Sequence, residues 1–163
     1  GKIAGIQAQL WSETVRSNAQ ANYMLFPRLL VVAERAWHKP QWTEEYQAKV
    51  SYSESTKHFD DSQIDAMQAD WHSFSYVLSN KAMPQLVAEG IQPRVPLPGA
   101  IIKDGMLYMQ NGISGLQLEY QTHGKTWQVF QSPVSVNSDI QVRAKIPNTQ
   151  VFSRQQALSV SGQ

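Results

Sequence analysis

Trp11 and Glu13 place an indole ring and a carboxylate two positions apart, at the end of a short apolar segment. If that segment is a strand, their side chains leave the same face of the chain. An indole ring can stack on the C–H face of a pyranose, and a carboxylate can accept charge-assisted hydrogen bonds from two hydroxyl groups. Such a pair would hold and orient a sugar but would not cleave it.

The same two residues also have a purely structural interpretation, which their spacing leaves open. Trp11 could be an anchor of the hydrophobic core, because tryptophan is mostly a packing residue. Glu13 could be an acid in the first turn of a helix, where the helix dipole favours negative charge.

The other polar residues predict no reactive site. The sequence has no cysteine, and its histidines show neither metal-ligand spacing nor a serine partner, so we expect no metal ion, no cofactor and no catalytic triad. Asp60, Asp61 and Asp65 resemble acid–base pairs, but they precede a helical pattern, which favours helix capping. The histidines are His38, His58, His72 and His123.

Composition excludes several classes of partner. The formal net charge is +1 with 17% charged residues, which argues against nucleic-acid binding. No apolar run approaches the roughly 18 residues of a membrane helix, so we expect no membrane partner. The hydrophobic content of 42% is enough for a packed core. The chain starts without a basic, apolar leader, and we expect it to begin inside a longer protein.

Residues 1–42 are predicted to form one strand and one helix. Apolar and small residues over 1–10 predict a buried strand, which cannot be stable alone. From Asn22, apolar residues recur at helical spacing, with Asn22 as a possible cap and Pro40 as the end. One such strand–helix unit is typical of α/β barrels.

Residues 43–92 are predicted to be a helical extension. Apolar residues between Asp60 and Gly90 recur with a period near 3.6, Asp61 and Ser62 mark a possible start, and Gly90 offers a C-terminal stop. Pro84 is expected to break or kink this tract. The proline-rich stretch 93–99 then predicts an extended connector and the main domain boundary.

Residues 93–163 are predicted to form a small β-sandwich of immunoglobulin or fibronectin type. About seven short strands alternate with turn signals at Asp104-Gly105, Asn111-Gly112 and His123-Gly124. The aromatic residues Tyr120, Trp127 and Phe130 could form an exposed platform for polysaccharide, and inward packing is an equal alternative.

Three runs of residues carry a resemblance to a known family. Leu10-Trp11-Ser12-Glu13, residues 23–28 (YMLFPR) and residues 33–37 (AERAW) together resemble the last strand and helix of the TIM (β/α)8 barrel of family-20 β-N-acetylhexosaminidases. Downstream, residues 94–100, 115–120 and 126–127 are similar to the C-terminal sandwich of bacterial chitobiases. The resemblance covers nearly the whole chain and implies an α+β fragment, with one barrel unit, a helical tract and an immunoglobulin-like sandwich.

This resemblance implies a function. Family members remove terminal β-linked N-acetylhexosamine by substrate assistance, in which the acetamido oxygen of the substrate attacks the anomeric carbon while a glutamic acid protonates the leaving oxygen. In the family, the tryptophan and glutamate of the Trp-Ser-Glu motif line the sugar pocket, and these roles carry over to Trp11 and Glu13. The neighbouring aspartate and glutamate that catalyse the reaction have no counterpart here, so the isolated chain is expected to be inactive.

The resemblance also implies the partners and the compartment. They are an oligosaccharide containing N-acetylglucosamine, such as chitobiose or a chitin fragment, and the remainder of the catalytic barrel. Localisation in the periplasm or outside the cell is implied by the family alone. Two alternatives stay open, namely a carbohydrate-binding module that uses an aromatic face of the sandwich and a purely structural interdomain module.

Overall fold

The computed structural model describes residues 5–43, 48–50, 60–122 and 124–160. His58, His123 and residues 1–4 of the predicted N-terminal strand lie outside the described residues. The described chain has an α+β fold, as the sequence predicts. Its elements are α1 (Asn18–Leu25), α2 (Arg28–Trp37), α3 (Asp61–Val77), a π-helical turn (Leu78–Ala82), α4 (Met83–Ala88), β1 (Gly99–Lys103), β2 (Met106–Gln110), β3 (Gln117–Thr122), β4 (Gln128–Val129), β5 (Val134–Ser135), β6 (Ile140–Lys145) and β7 (Gln156–Leu158).

The predicted N-terminal strand does not form in residues 5–10, which have no regular secondary structure. A strand is stabilised by hydrogen bonds to a neighbouring strand, and no strand of the described residues pairs with this segment. Residues 5–9 are exposed, and only Leu10 is partly buried. The apolar composition of the segment was therefore insufficient to predict its local conformation.

The first predicted helix is two helices separated by a proline. The hydroxyl of Ser17 accepts a hydrogen bond from the Gln20 N–H at 3.2 Å and caps α1, so the cap predicted at Asn22 was wrong. Helix α1 ends at Leu25, and α2 starts after Pro27, which lacks an N–H to continue the first helix. Helix α2 ends at Trp37, before Pro40 as predicted.

The second helical tract begins with the predicted acidic cap. The carboxylate of Asp60 accepts from the Gln63 N–H at 2.8 Å, while the Gln63 side chain accepts from the Asp60 N–H at 3.0 Å, which is a reciprocal capping box. The π-helical turn ends two residues before Pro84, whose ring would clash with the carbonyl of Asn80 in an unbroken α-helix. The tract stops at Gly90, whose φ of +81° favours glycine.

The strands form two antiparallel sheets. One has the order β1-β2-β5 and the other the order β4-β3-β6-β7. Strands β1 and β2 are joined by Asp104 and Gly105, both with positive φ, as in the tight hairpin turn that the sequence predicts. Along β6, Ile140, Val142 and Ala144 are buried and alternate with half-buried residues, so this central strand presents one face to the core.

Two hydrophobic clusters stabilise the fold. The first lies between the two sheets and contains Leu107, Ile140 and Val142, with partly buried residues of β1, β3, β5 and β7 packed around them. The second joins the helices to the larger sheet, and its buried members are Leu78, Met83, Val95, Leu116, Ala144 and Ile146. Because Val95 is 5% exposed, the proline-rich connector is packed into this second cluster.

The domain limits at residues 42 and 92, and the immunoglobulin-like type of the sandwich, stay predictions.

Helix α3 is held against the loop between β2 and β3 by polar contacts at close range. The indole N–H of Trp71 donates to the carbonyl of Gly112 at 2.8 Å, and the Ser114 N–H donates to the hydroxyl of Ser75 at 3.2 Å. Buried Ser79 donates to the Ser114 carbonyl. At Gly115, with φ of +84°, an added Cβ would lie 2.5 Å from the Ser79 hydroxyl, so only glycine permits this approach.

Candidate functional site

Trp11 and Glu13 lie in an exposed turn that precedes α1. The Ser12 carbonyl accepts from the Val15 N–H at 3.0 Å, and the Arg16 guanidinium donates to the Glu13 carbonyl at 2.6 Å. Because residues 12–15 turn, the argument from strand alternation, which placed the two side chains on one face, does not apply. Their assignment to a sugar pocket stays a prediction.

Both side chains of the Trp11–Glu13 turn are accessible to a ligand. The Trp11 side chain is 75% exposed, which is inconsistent with a core anchor within the described chain. Glu13 is also exposed, and in the described part of the chain its carboxylate makes no hydrogen bond. A ring and a free carboxylate are therefore available at one turn, which is the chemistry that binding of a pyranose requires.

The turn is fastened to the first turn of α1. The side-chain oxygen of Gln20 accepts from the Arg16 N–H at 2.7 Å, while the Gln20 N–H donates to the Ser17 hydroxyl at 3.2 Å. The second bond satisfies one of the donors that the start of a helix leaves unpaired, and the first ties Arg16 to the same turn. Helix α1 thus fixes the backbone directly after Glu13.

An open groove lies beside the turn and was not predicted from the sequence. Its walls are the residues after Glu13, one face of α1 and Gln92, which directly precedes the connector. The guanidinium of Arg94 lies 5.8 Å from the ring centroid of Tyr23, within the range of a cation–π contact. The Arg94 N–H donates to the Phe26 carbonyl at 3.0 Å, so the connector is attached to the end of α1. The main lining residues are Thr14, Val15, Gln20, Tyr23, Met24 and Gln92.

Asp70 of α3 joins the end of α2 to the middle of the helical tract. Its carboxylate accepts from Arg35 and from the Trp42 indole, each at 3.3 Å, and lies 3.1 Å from Nε2 of His38. Burial raises the pKa of Asp70, but the hydrogen bonds from Trp42, His38 and Arg35 together lower that pKa below its usual value. This cluster joins α2 to α3, and the spacing of 35 residues between Arg35 and Asp70 gave no signal of it in the sequence.

The larger sheet contains a stacked arginine. The Arg143 guanidinium lies 3.9 Å from the Trp127 ring centroid and 3.8 Å from that of Phe152. Its Nε donates at 2.7 Å to the carboxylate of Glu119, which is buried and also accepts from Gln117 at 2.6 Å. This ion pair is enclosed by aromatic rings and holds β3 against β6.

The three aromatic residues considered as a platform for polysaccharide are occupied by internal contacts. Tyr120 and Phe130 pack against the cluster between the sheets, and the Tyr120 hydroxyl donates to Gln128 at 2.6 Å. Trp127 stacks on Arg143. These three rings therefore form no common exposed platform: inward packing is correct for Tyr120 and Phe130, whereas Trp127 is half-buried and covers Arg143.

The remaining acidic residues and histidines form no reactive cluster in the described ranges. Hydrogen bonds from Ser62 and from the Gln63 N–H lower the pKa of Asp60, in agreement with its role as a helix cap. Outside the gaps in the description, no three residues of the types His, Cys, Asp and Glu are close enough to hold a metal ion. Of the helices described, none is long and apolar enough to cross a membrane.

Comparison with known proteins identifies the class to which this turn and these sheets belong. Residues 1–40 match the model of the glycosyl hydrolase family 20 catalytic domain, and residues 82–155 match that of the chitobiase/beta-hexosaminidase C-terminal domain. The chain belongs to this family and corresponds to a C-terminal part of a family-20 hexosaminidase.

The curated relatives are considerably longer than this chain. It is 42% identical over 132 residues to a beta-hexosaminidase of Vibrio vulnificus, covering 77% of this chain and 16% of the relative. It is 39% identical over 126 residues to the N,N'-diacetylchitobiase of Vibrio harveyi, covering 77% and 14%. A beta-hexosaminidase B of Pseudoalteromonas piscicida is 49% identical over 79 residues, covering 48% and 10%. The chain thus spans about one sixth of the first of these relatives.

Proposed function

We propose that this chain is the C-terminal part of an enzyme that removes terminal β-linked N-acetylhexosamine from chitobiose and related oligosaccharides. The observation that carries this proposal is the exposed Trp11–Glu13 turn, which lies within the segment that matches the family-20 catalytic domain. The names of the relatives from Vibrio vulnificus and Vibrio harveyi support the same substrate class.

Within that enzyme, Trp11 forms a wall of the pocket and Glu13 accepts hydrogen bonds from two sugar hydroxyls. Neither residue transfers a proton or attacks the anomeric carbon. The substrate's own acetamido oxygen attacks that carbon, and a glutamic acid protonates the leaving oxygen. No Asp-Glu pair occurs anywhere in the 163 residues, so the acid must come from outside this sequence.

The remainder of a (β/α)8 barrel is the partner that this proposal requires. Segment 5–10 has no strand partner within the described chain, and α2 exposes Leu29 and Trp37. Neighbouring barrel strands would supply the missing hydrogen bonds to the segment, and adjacent barrel elements would cover the apolar side chains. Residues 93–163 form an immunoglobulin-like sandwich that stabilises this strand–helix unit. The enzyme acts in the periplasm or outside the cell.

The proposal is tested by assaying two proteins with a chromogenic N-acetyl-β-glucosaminide. One is the full-length polypeptide that contains these residues, and the other is the 163-residue chain alone. We expect turnover by the first and none by the second, because the second lacks the acid. Absence of turnover by the full-length polypeptide would contradict the proposed function, and turnover by the isolated chain would contradict the assignment of catalysis to the missing part.

A further inference from the structure

Arg16 directly follows the turn that carries Trp11 and Glu13, and its side chain is bonded back to that turn. The Arg16 guanidinium donates to the Glu13 carbonyl at 2.6 Å and to the Val15 carbonyl at 3.4 Å. We propose that Arg16 is a positioning residue, which holds Glu13 in the place where its carboxylate binds the sugar. This inference rests on the function proposed above.

The carboxylate of Glu13 depends on its own backbone for its position. Glu13 is exposed, and within the described chain its carboxylate makes no hydrogen bond. A ligand that must order a flexible side chain binds less tightly, and a backbone that is already fixed lowers this loss. The bond from Arg16 to the Glu13 carbonyl is a contact that supplies such a restraint.

The type of bond suits this role. A cationic donor makes a stronger hydrogen bond than a neutral one, and the distance of 2.6 Å is short for an N–H donor. Because the Val15 N–H donates to the Ser12 carbonyl at 3.0 Å, the chain turns between Glu13 and Arg16. The Arg16 side chain can therefore reach back over three positions to the Glu13 carbonyl.

Arg16 also connects the turn to the rest of the fold. Its backbone N–H donates to the side-chain oxygen of Gln20 in α1 at 2.7 Å. The other end of α1 is attached to the connector, because the Phe26 carbonyl accepts from the Arg94 N–H at 3.0 Å. Glu13 is thus linked through Arg16 to a helix that is held at both ends, which is the kind of support that keeps a binding group in place.

The experiment measures kcat/KM of the full-length polypeptide with the chromogenic N-acetyl-β-glucosaminide. Arg16→Met removes the donors and keeps the aliphatic stem. We expect it to lower kcat/KM about threefold to tenfold, the range for loss of one hydrogen bond. The unfolding free energy should stay close to that of the wild type, because Arg16 is exposed. Arg154→Met, at another exposed arginine, is the matched control and should alter neither quantity.

A second background separates positioning from a purely structural role. Glu13→Ala removes the carboxylate but keeps the backbone carbonyl that Arg16 contacts. If Arg16 acts through the carboxylate, adding Arg16→Met to Glu13→Ala should change kcat/KM by less than about twofold. Arg16→Lys, which retains a cationic donor, should give a value between those of the wild type and Arg16→Met. If Arg16→Met does not fold, Arg16→Lys is compared in the same two backgrounds.

The outcomes separate the role of Arg16 from the proposed function. No loss for Arg16→Met in the wild-type background would overturn this role, while turnover by the wild type upheld the enzyme. An equal loss in the Glu13→Ala background would also overturn it, because Arg16 would then support the fold or contact the sugar directly. A wild-type polypeptide without turnover would overturn both the role of Arg16 and the proposed function.

Discussion

The region that carries the candidate site and the region that follows it differ in how they are stabilised. Helices α1 and α2 contain no buried residue, although α2 is amphipathic. By contrast, all nine buried hydrophobic residues of the described chain lie between Leu78 and Ile146. The sheets and α4 therefore have a core of their own, whereas the Trp11–Glu13 turn and its helices depend on contacts to other elements.

Under the proposed function, this difference explains what each region would contribute to the enzyme. A site that must open to an oligosaccharide lies where side chains are exposed, and a rigid neighbour can hold its backbone in place. Here the connector and Asp70 make that link, through the bond from Arg94 to Phe26 and the contacts of Asp70 with α2. We therefore expect stability to depend on the C-terminal region and ligand binding to depend on the N-terminal region.

The largest effect on stability is expected for Arg143→Met. This change leaves the carboxylate of Glu119, whose side chain is 7% exposed, without its ionic partner. Removing one member of a buried ion pair costs about 3–5 kcal/mol of unfolding free energy. Urea denaturation of the 163-residue chain measures the loss. Arg154→Met, at an exposed position near β7, should change the unfolding free energy by less than about 0.5 kcal/mol.

If Arg143→Met and Arg154→Met lowered the unfolding free energy equally, the buried ion pair would not stabilise the C-terminal region. The contrast drawn between the two regions would then be wrong. A double change, Glu119→Leu with Arg143→Met, sharpens the test. Since no charge is then left buried and unpaired, much of the lost stability should return.

A smaller effect is expected where the two regions meet. Asp70→Asn should lower the unfolding free energy at neutral pH by roughly 1 kcal/mol, because it removes the charge that Arg35 and His38 contact. The lowered pKa of Asp70 means that its stabilisation is present above the usual aspartate pKa of about 3.9 and is lost as pH falls through the lower folded-state value. The unfolding free energies of the wild type and of Asp70→Asn should therefore become equal as the pH falls.

Thermal unfolding between neutral pH and about pH 2 measures this convergence across the usual aspartate pKa near 3.9. Asp65→Asn, an exposed position on the same helix, is the matched control and should track the wild type throughout. If the difference in melting temperature between wild type and Asp70→Asn were the same at every pH, the charge of Asp70 would not stabilise the contact between the two regions.

The smallest effect on the isolated chain is expected for Trp37→Ser. Its side chain is 90% exposed, so the unfolding free energy of the 163-residue chain should change by less than about 0.5 kcal/mol. In the full-length polypeptide, where we propose that the barrel covers this ring, the loss should reach about 2 kcal/mol or more. Similar small losses in both proteins would contradict a barrel contact at this face of α2.

Sequence patterns predicted the C-terminal strands well because their signals are local. Alternating residues and the Asp104-Gly105 turn identify β1 and β2 without knowledge of distant contacts. The strand expected over residues 1–10 would need a neighbouring strand, and residues 5–10 neither pair with a described strand nor form one. The cap at Asn22 failed for a different reason, since the Ser17 hydroxyl caps a helix that already begins at Asn18, before the apolar periodicity starts.

The candidate site was only partly accessible to sequence reasoning. The Trp-Ser-Glu motif points to Trp11 and Glu13, and its exposure in the structure is compatible with a pocket. The groove was missed because Tyr23 and Gln92 are 69 positions apart in the sequence and meet only in the folded chain. Asp70 was missed for the same reason, because its partners lie on another helix and in the loop that follows it.

The central claim is that Glu13 binds the sugar, while the C-terminal region provides most of the stability of the fold. It is tested most directly by kcat/KM of the full-length polypeptide carrying Glu13→Gln, with the chromogenic N-acetyl-β-glucosaminide as substrate. Loss of a charge-assisted hydrogen bond of about 1.5–3 kcal/mol predicts a decrease of roughly tenfold or more, with unfolding free energy unchanged. Glu89→Gln, an exposed residue after α4, is the control. Wild-type kcat/KM in Glu13→Gln would contradict the account.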